Sequence, residues 1–269
     1  MTTLLNTEYA RLVRLDAFYL RRSLHASGYL LGQGWRQRGF TVAERLVKRG
    51  GQRGGGAHDA STAEWVVAAI LAAVRDLPYF ALEQAAQRWS YRFTDSLAGK
   101  TVLIVGYGSI GRAVERRLAG FEVEVSRVAR RARDGVAPVS DLPGLLPTAD
   151  VVVILAPVTA ETIGMVDASF LARMKDGALL VNAARGSLVV TDALVAELRQ
   201  GRLRAAVDVT DPEPLGPGHP LWEAPGLLIT PHVAASTPVS AARSVAFVRA
   251  QAGRFIGGQP LQNVIAGKY

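Results

Sequence analysis

The residues Thr101-Val102-Leu103-Ile104-Val105 run without a break into Gly106-Tyr107-Gly108-Ser109-Ile110-Gly111, and a pattern of helical period follows. A strand, a glycine turn and a helix start therefore stand in one stretch. Gly106 permits the tight turn, Gly108 removes a Cβ where an anion would approach, and Gly111 lets the helix lie close to the strand. The backbone N–H groups and the positive end of the helix dipole then face that anion, so the stretch predicts a pyrophosphate cradle. A G-x-G-x-x-G alone says little; placed between a strand and a helix it constrains the fold strongly. The competing reading is a glycine-rich βα turn that holds no ligand.

The rest of the chain from Asp59 onward alternates in the same way. Ser61 and Glu64 form an S-x-x-E pair ahead of an apolar helix over about 62–75, and Pro78 opens a second helix running to about Trp89. Strands are expected at 101–106, 122–128, 150–155, 178–182, 204–209 and 226–229, and helices at 109–119, 167–173, 191–200 and 238–256. Thr191 is placed as N-cap and Gly201 as C-cap of the helix over 191–200. The strands are short and apolar throughout, as in Val151-Val152-Val153-Ile154-Leu155, which predicts strands covered on both faces. The expected fold class is α/β, a Rossmann-type doubly wound parallel sheet. Three segments follow: an atypical one over 1–57, a dinucleotide-binding domain over 58–237 led by the apolar helix, and a C-terminal helix and tail over 238–269, with a strand-like piece near Val264.

The chain has 269 residues and a net charge of +8, which invites a nucleic-acid reading. The distribution of charge argues against it. Residues 1–56 hold nine Arg and one Lys against Glu8, Asp16 and Glu44, a balance of +7, and the rest carries only +1. The basic segment lacks interleaved aromatics on a defined face and lacks a DNA-binding motif. Apart from a possible helix over about 8–23, it has no sustained period, and Gly50 to Gly56 resembles a flexible linker. The absence of cysteine removes disulfides, thiolate metal sites and cysteine nucleophiles, and no metal site is expected. The apolar run from Trp65 to Val74 is too short to span a bilayer, and the front of the chain lacks a signal-type apolar core. No membrane contact and a cytoplasmic location are expected.

Ligands of doubly wound sheets bind at the carboxyl ends of the strands. Three polar groups fall there. Arg185 follows the strand over 178–182, Glu213 follows Asp208 at the end of the strand over 204–209, and His232 follows the last strand in Thr230-Pro231-His232. Alone, each has a plain explanation: a surface arginine, a solvated acid in a proline-rich loop, a capping histidine. Together, at the edge that holds the glycine turn, they point to a catalytic set.

With these residues in view, the chain from about His58 resembles the D-isomer-specific 2-hydroxyacid dehydrogenases, the group of glyoxylate/hydroxypyruvate reductases and phosphoglycerate dehydrogenases. The matching pieces are the glycine turn, Met174-Lys175-Asp176-Gly177-Ala178, Asn182-Ala183-Ala184-Arg185-Gly186, Asp208 to Leu215, His219-Pro220-Leu221-Trp222, and Thr230-Pro231-His232. The resemblance implies an oxidoreductase that moves a hydride between a nicotinamide cofactor and a small 2-hydroxy or 2-keto acid. Arg185 would grip the substrate carboxylate and keto oxygen. His232 would act as general acid or base, with Glu213 on its other ring nitrogen stabilising the imidazolium. Cofactor contacts are implied at Gly106, Gly108, Ser109, Ile110, Gly111, Pro157, Thr162, Ala184 and Asp208, the last beside the nicotinamide; His219 and Trp222 read as structural. Where NAD-using members carry Asp at the tip of the second strand, this chain has Ala129, followed by Arg130 and Arg131. A missing carboxylate and two guanidinium groups favour NADP over NAD.

The resemblance also implies a homodimer with the apolar helix over 62–75 at its interface, and a substrate domain of which residues 1–57 would be a reduced, atypical or truncated counterpart. A shifted reading frame or a rearranged front end would produce such Arg/Gly-rich text. Two readings therefore stand side by side: a reductase whose activity an incomplete cleft would lower, and a nucleotide-binding module acting through protein contacts.

Overall fold

The computed structural model describes residues 56–260 and residue 262. The expected helix over 8–23, most of the glycine-rich linker and the strand near Val264 lie outside the described residues.

Residues Asp59–Ser236 form one compact unit built on a seven-stranded sheet. The strands are β1 (Thr101–Val105), β2 (Glu124–Ala129), β3 (Ala137–Pro138), β4 (Val151–Ile154), β5 (Leu179–Asn182), β6 (Arg204–Val207) and β7 (Leu227–Ile229), in the order β3-β2-β1-β4-β5-β6-β7. Every pairing between these strands is parallel. The helices between them are α1 (Asp59–Val74), α2 (Leu77–Ala85), α3 (Ser109–Leu118), α4 (Leu142–Leu145), α5 (Ala168–Arg173) and α6 (Thr191–Arg199).

Alternation along the strands splits the core in two. Val102, Ile104, Val151, Val153, Leu179 and Val181 face one side with α1 and α3, while Leu103, Val105, Val152, Ile154 and Leu180 face the other with α5 and α6. Both faces are dry, which is why these strands read as continuous apolar runs. The sheet grows from β1 outward through β2 to β3, then returns to β4 on the other side of β1. That reversal opens a crevice between the carboxyl ends of β1 and β4, and the glycine turn sits at its lip.

The two-residue β3 escaped the sequence reading because a pair ending in proline carries no period, and Thr191 is not the cap of α6. Val190 occupies the N-cap position, and the Thr191 hydroxyl donates instead to the Asp211 carbonyl at 2.9 Å. Gln200, not Gly201, is the C-cap; Gly201 follows it at φ +67°, its N–H donating to Leu198 O. Ser61 lies inside α1 rather than ahead of it. Helix α1 is covered within the unit: Val66, Val67, Ile70 and Val74 pack with Val102, Ile104 and Val114. Its buried face is thus spent on the sheet and α3. No single helix among the described residues is long and apolar enough to cross a membrane.

Helix α2 ends at Ala85, short of Trp89, because Gln87 takes a left-handed conformation (φ +55°) and turns the chain. Residues 88–95 then run back along α2. Glu83 accepts from Arg88 Nε at 2.9 Å and from the Ser90 hydroxyl, Arg92 pairs with Asp76 at 2.6 Å, and Arg75 Nε donates to Thr94 Oγ1 at 3.1 Å. The fork of Arg88 and the Ser90 hydroxyl hold the Glu83 carboxyl down to about 2. Helix α7 (Pro238–Ile256) belongs to a second unit; Gln251 near its end exchanges side-chain hydrogen bonds with the backbone of Gln262.

The Glu83 clamp is directly measurable. In an NMR titration of side-chain carboxyl carbons, Glu83 should titrate near pH 2. The stability it lends is present above the ordinary glutamate range, about pH 4.3, and is lost as pH falls toward 2. A midpoint near 4.3 would show that Arg88 and Ser90 do not hold it.

Candidate active site

The three glycines of the turn have three distinct surroundings. Gly106 sits at φ +98°, and its N–H and that of Tyr107 both donate to Val128 O at 2.9 Å. A Cβ on Gly106 would stand 2.3 Å from the Ala156 backbone nitrogen, so no side chain fits between the ends of β1 and β4. A Cβ on Gly111 would meet Ile104 Cγ2 and Tyr107 Cδ2 at 3.2 Å, the tight strand–helix contact. A Cβ on Gly108 would meet no atom nearer than 4.0 Å, the open side where a ligand can approach. The first main-chain bond into α3 is Arg112 N–H to Gly108 O at 3.1 Å. Among the described residues the N–H groups of Ser109, Ile110 and Gly111 have no main-chain partner, which leaves three donors at the positive end of the helix. This cradle fits a dinucleotide pyrophosphate.

Side chains around the turn brace it. The Ser109 hydroxyl donates to Asp59 Oδ1 at 3.1 Å, tying the start of α3 to α1. The Tyr107 phenol donates to Glu115 of α3, which also accepts from Arg127 Nε of β2 at 2.8 Å. Burial and the Glu115 charge push the Tyr107 phenol up, while Arg127 holds the Glu115 carboxyl low. Beyond β2, Arg130 and Arg131 are exposed on the turn, and Arg133 donates to the Tyr107 carbonyl. The loop after β4 is knotted on itself: Thr162 Oγ1 donates to Pro157 O and accepts the Thr159 N–H, both at 2.7 Å. The Thr159 hydroxyl holds the nearby Glu161 carboxyl low, with Arg130 adding a weaker pull.

The carboxyl ends of β5, β6 and β7 carry the three predicted polar residues. Asn182, buried at the end of β5, donates from Nδ2 to Arg185 O and accepts the Ala184 N–H, both at 3.0 Å. These two bonds shape the turn that carries Arg185, whose exposed side chain donates to Ala184 O at 2.6 Å. Gly186 follows, and a Cβ there would stand 2.0 Å from Thr210 O and 2.6 Å from the Asp211 nitrogen. Backbone on backbone, it joins the Arg185 turn to the loop that carries Glu213.

Asp208, 2% exposed, is engaged on three sides. Its Oδ1 accepts from Thr230 Oγ1 at 2.5 Å and from Val233 N–H at 2.8 Å, and its Oδ2 accepts the Ala234 N–H at 2.8 Å. The His232 N–H donates to the Asp208 carbonyl at 2.7 Å. His232 is thus held at φ +57°, a conformation few residues other than glycine adopt. Its side chain is 8% exposed, and Nδ1 lies 2.7 Å from Glu213 Oε1. A carboxylate on Nδ1 fixes the ring's orientation and its tautomer. The fold therefore joins Glu213 to His232 directly and sets Arg185 on the neighbouring loop. The Asp208 carboxylate acts on the His232 loop and is occupied there. His219 and Trp222 close their own loop, through bonds to Leu221 N–H at 3.2 Å and Gly216 O at 2.8 Å.

Sequence reasoning quoted Asn182, Gly186 and Thr230 within matching motifs without giving them a role, and passed over Arg133. A polar residue ending an apolar strand was the available signal for Asn182, and the R-x-R spacing after Arg131 was the one for Arg133. Nothing in the sequence marked the Gly186–Thr210 approach, which depends on two loops 24 residues apart.

Fold and site together define a dinucleotide-binding α/β protein with a histidine–carboxylate pair at the ligand edge. The family model for the D-isomer specific 2-hydroxyacid dehydrogenase NAD binding domain matches residues 67–234, and the chain belongs to that family. It is 35% identical over 190 residues to the D-3-phosphoglycerate dehydrogenase of Archaeoglobus fulgidus, covering 68% of this chain and 36% of that protein. It is 36% identical to the glyoxylate reductase of Thermofilum pendens, covering 66% of this chain and 56% of that one. The chain thus aligns with between about a third and just over half of these relatives. The crystal structure of a D-isomer specific 2-hydroxyacid dehydrogenase from Xanthobacter autotrophicus Py2 in complex with NADPH and MES superposes with a TM-score of 0.68 at 34% identity, over 78% of this chain and 88% of that one.

The Gly186 contact yields a test. Gly186→Ala forces apart the two loops that carry Arg185 and Glu213, and overpacking of this kind costs about 1–3 kcal/mol. Its urea midpoint should fall accordingly; an unchanged midpoint would mean the loops do not touch in solution.

Proposed function

We propose that the chain is an oxidoreductase that transfers a hydride between NADP(H) and a small 2-hydroxy or 2-keto acid, working mainly as a 2-keto acid reductase. The observation that carries this reading is the 2.7 Å His232–Glu213 pair at the sheet edge that holds the glycine cradle. The nicotinamide, when bound, supplies the hydride chemistry. The chain's residues supply alignment and charge. The donors of Ser109, Ile110 and Gly111 take the pyrophosphate, and the self-bonded loop from Pro157 to Thr162, with Ala184, lines the cofactor's path. The Arg185 guanidinium takes the substrate carboxylate through its planar fork. His232, oriented by Glu213 through Nδ1, gives a proton from Nε2 to the keto oxygen in reduction and takes it back in oxidation. Asp208 keeps the imidazole in place through the backbone of its loop.

NADP is favoured over NAD because β2 ends in Ala129, with no carboxylate to accept a ribose hydroxyl, and Arg130 and Arg131 follow on an exposed turn. A 2′-phosphate would meet two cations there. The reading includes residues 58–237 as the cofactor domain, a cytoplasmic location and a homodimer as the working form. A second reading, a nucleotide-binding module without turnover, is favoured by one observation: the family model that matches, over residues 67–234, is that of the NAD binding domain.

Following NADPH absorbance with glyoxylate, hydroxypyruvate and bulkier 2-keto acids separates the two. Turnover on any of them supports the reductase; NADPH binding with no turnover on all supports the module. Arg185→Ala and His232→Ala should each lower kcat/KM by at least about a hundredfold, the usual scale for a lost acid–base or charge contact. Activity surviving in either would break the assignment.

Cofactor choice has its own test. Fluorescence titration should show NADPH binding at least about tenfold tighter than NADH, and Arg130→Ala with Arg131→Ala should remove the difference, one charge-assisted contact being worth about 1.5–3 kcal/mol. Tighter NADH binding by the wild-type chain would refute the preference.

A further inference from the structure

Helices α1 and α3 begin together. Asp59 is the first residue of α1 and Ser109 the first of α3, and the Ser109 hydroxyl donates to Asp59 Oδ1 at 3.1 Å. Further along, Arg117 near the end of α3 pairs with Glu64 of α1 at 3.2 Å. Start meets start and later turn meets later turn, so the two helices run side by side in the same direction. Their positive ends therefore converge on one spot. That spot carries the half-buried carboxylate of Asp59, bonded to the side chain of a residue whose N–H belongs to the pyrophosphate cradle.

The carboxylate acts on an anion at the cradle in two ways. Its charge opposes that of the phosphates across the width of one serine side chain. It also claims the Ser109 hydroxyl proton. A serine hydroxyl has one proton to give, and the phosphates of a dinucleotide can only accept. While Asp59 takes that proton, Ser109 offers the ligand its N–H and withholds its hydroxyl. On the Gly108 side the approach is open, since a Cβ there would meet no atom nearer than 4.0 Å. The opposition to the ligand is thus electrostatic rather than steric.

We propose that Asp59 is an affinity-limiting residue: it competes with the dinucleotide pyrophosphate for the start of α3, so the cofactor is held less tightly than the cradle alone would hold it. This role rests on the reading of the cradle as a nicotinamide dinucleotide site and adds to it a side chain that works against the ligand. A protein that exchanges its cofactor in every turnover gains from faster release. The acid also suits its place without any ligand, because a carboxylate in a first turn complements the helix dipole and its bond to Ser109 ties α3 to α1. The two roles differ in sign. An acid that only braced the start of α3 would weaken cofactor binding when removed, whereas an acid that competes with the phosphates would strengthen it.

The test is fluorescence titration of the full chain with NADPH and, separately, with NADH. Asp59→Asn, of the same shape but uncharged, should bind both about threefold to fivefold more tightly than the wild type. Asp59→Ala, which also frees the Ser109 hydroxyl for a phosphate, should bind both at least about tenfold more tightly. The gain should be the same for the two nucleotides, because they share the pyrophosphate and differ only at the 2′-phosphate; a gain confined to NADPH overturns the proposal. Ser109→Ala should cost about fivefold more affinity in the Asp59→Ala background than in the wild type, the coupling expected of a hydroxyl that the acid holds back. Equal costs in the two backgrounds overturn it, and so do affinities that are unchanged or weakened in both Asp59 variants. Should Asp59→Ala fail to fold by far-ultraviolet circular dichroism, Asp59→Asn decides alone. A wild-type chain that binds neither nucleotide overturns the cradle and this role with it, whereas binding without turnover bears on the catalytic reading alone.

Discussion

A buried carboxylate, Asp208, holds the candidate active site together. Asp208 is taken out of water, and the cost of that burial is offset only because Thr230, Val233 and Ala234 all donate to it. Each of those donors belongs to the loop after β7, so satisfying the charge and fixing the loop are the same event. The loop in turn holds His232 in its left-handed conformation, and from that backbone position the imidazole reaches Glu213. Remove the carboxylate and two buried N–H groups lose their partner, the backbone at His232 has nothing to hold it, and the histidine–glutamate pair has no reason to form.

The glycine residues do the complementary work of permitting close approach. Gly106 allows β1 and β4 to end side by side, Gly111 brings α3 down on β1, and Gly186 sets the Arg185 turn on the backbone of the Glu213 loop. All three lie at the carboxyl edge of the sheet, where the connections must be short and the ligand must be reached by backbone. The parallel sheet, dry on both faces, is the rigid base from which these loops project.

Much of this was legible in the sequence because it depends on period and composition. The apolar runs located six of the seven strands to within about two residues, and the glycine turn announced the switch point between β1 and β4. Strand ends located Arg185, Glu213 and His232 without any knowledge of distance. What remained hidden depends on residues far apart in the chain. The three bonds to Asp208 and the Gly186–Thr210 contact join loops that only the fold brings together. The end of α2 was misplaced by four residues because Gln87, an ordinary helix former, takes a left-handed turn there. The apolar character of α1 was visible; that the sheet and α3 would cover it was not.

The central claim is that a histidine oriented by Glu213 meets a 2-keto acid beside the dinucleotide cradle. A crystal structure of the chain with NADPH and oxamate, an unreactive 2-keto acid mimic, tests it most directly. The account predicts the pyrophosphate on the N–H groups of Ser109 to Gly111, the oxamate carboxylate on Arg185, and its amide oxygen within hydrogen-bond reach of His232 Nε2. Oxamate bound away from His232, or an imidazole turned off Glu213 in the complex, would contradict it.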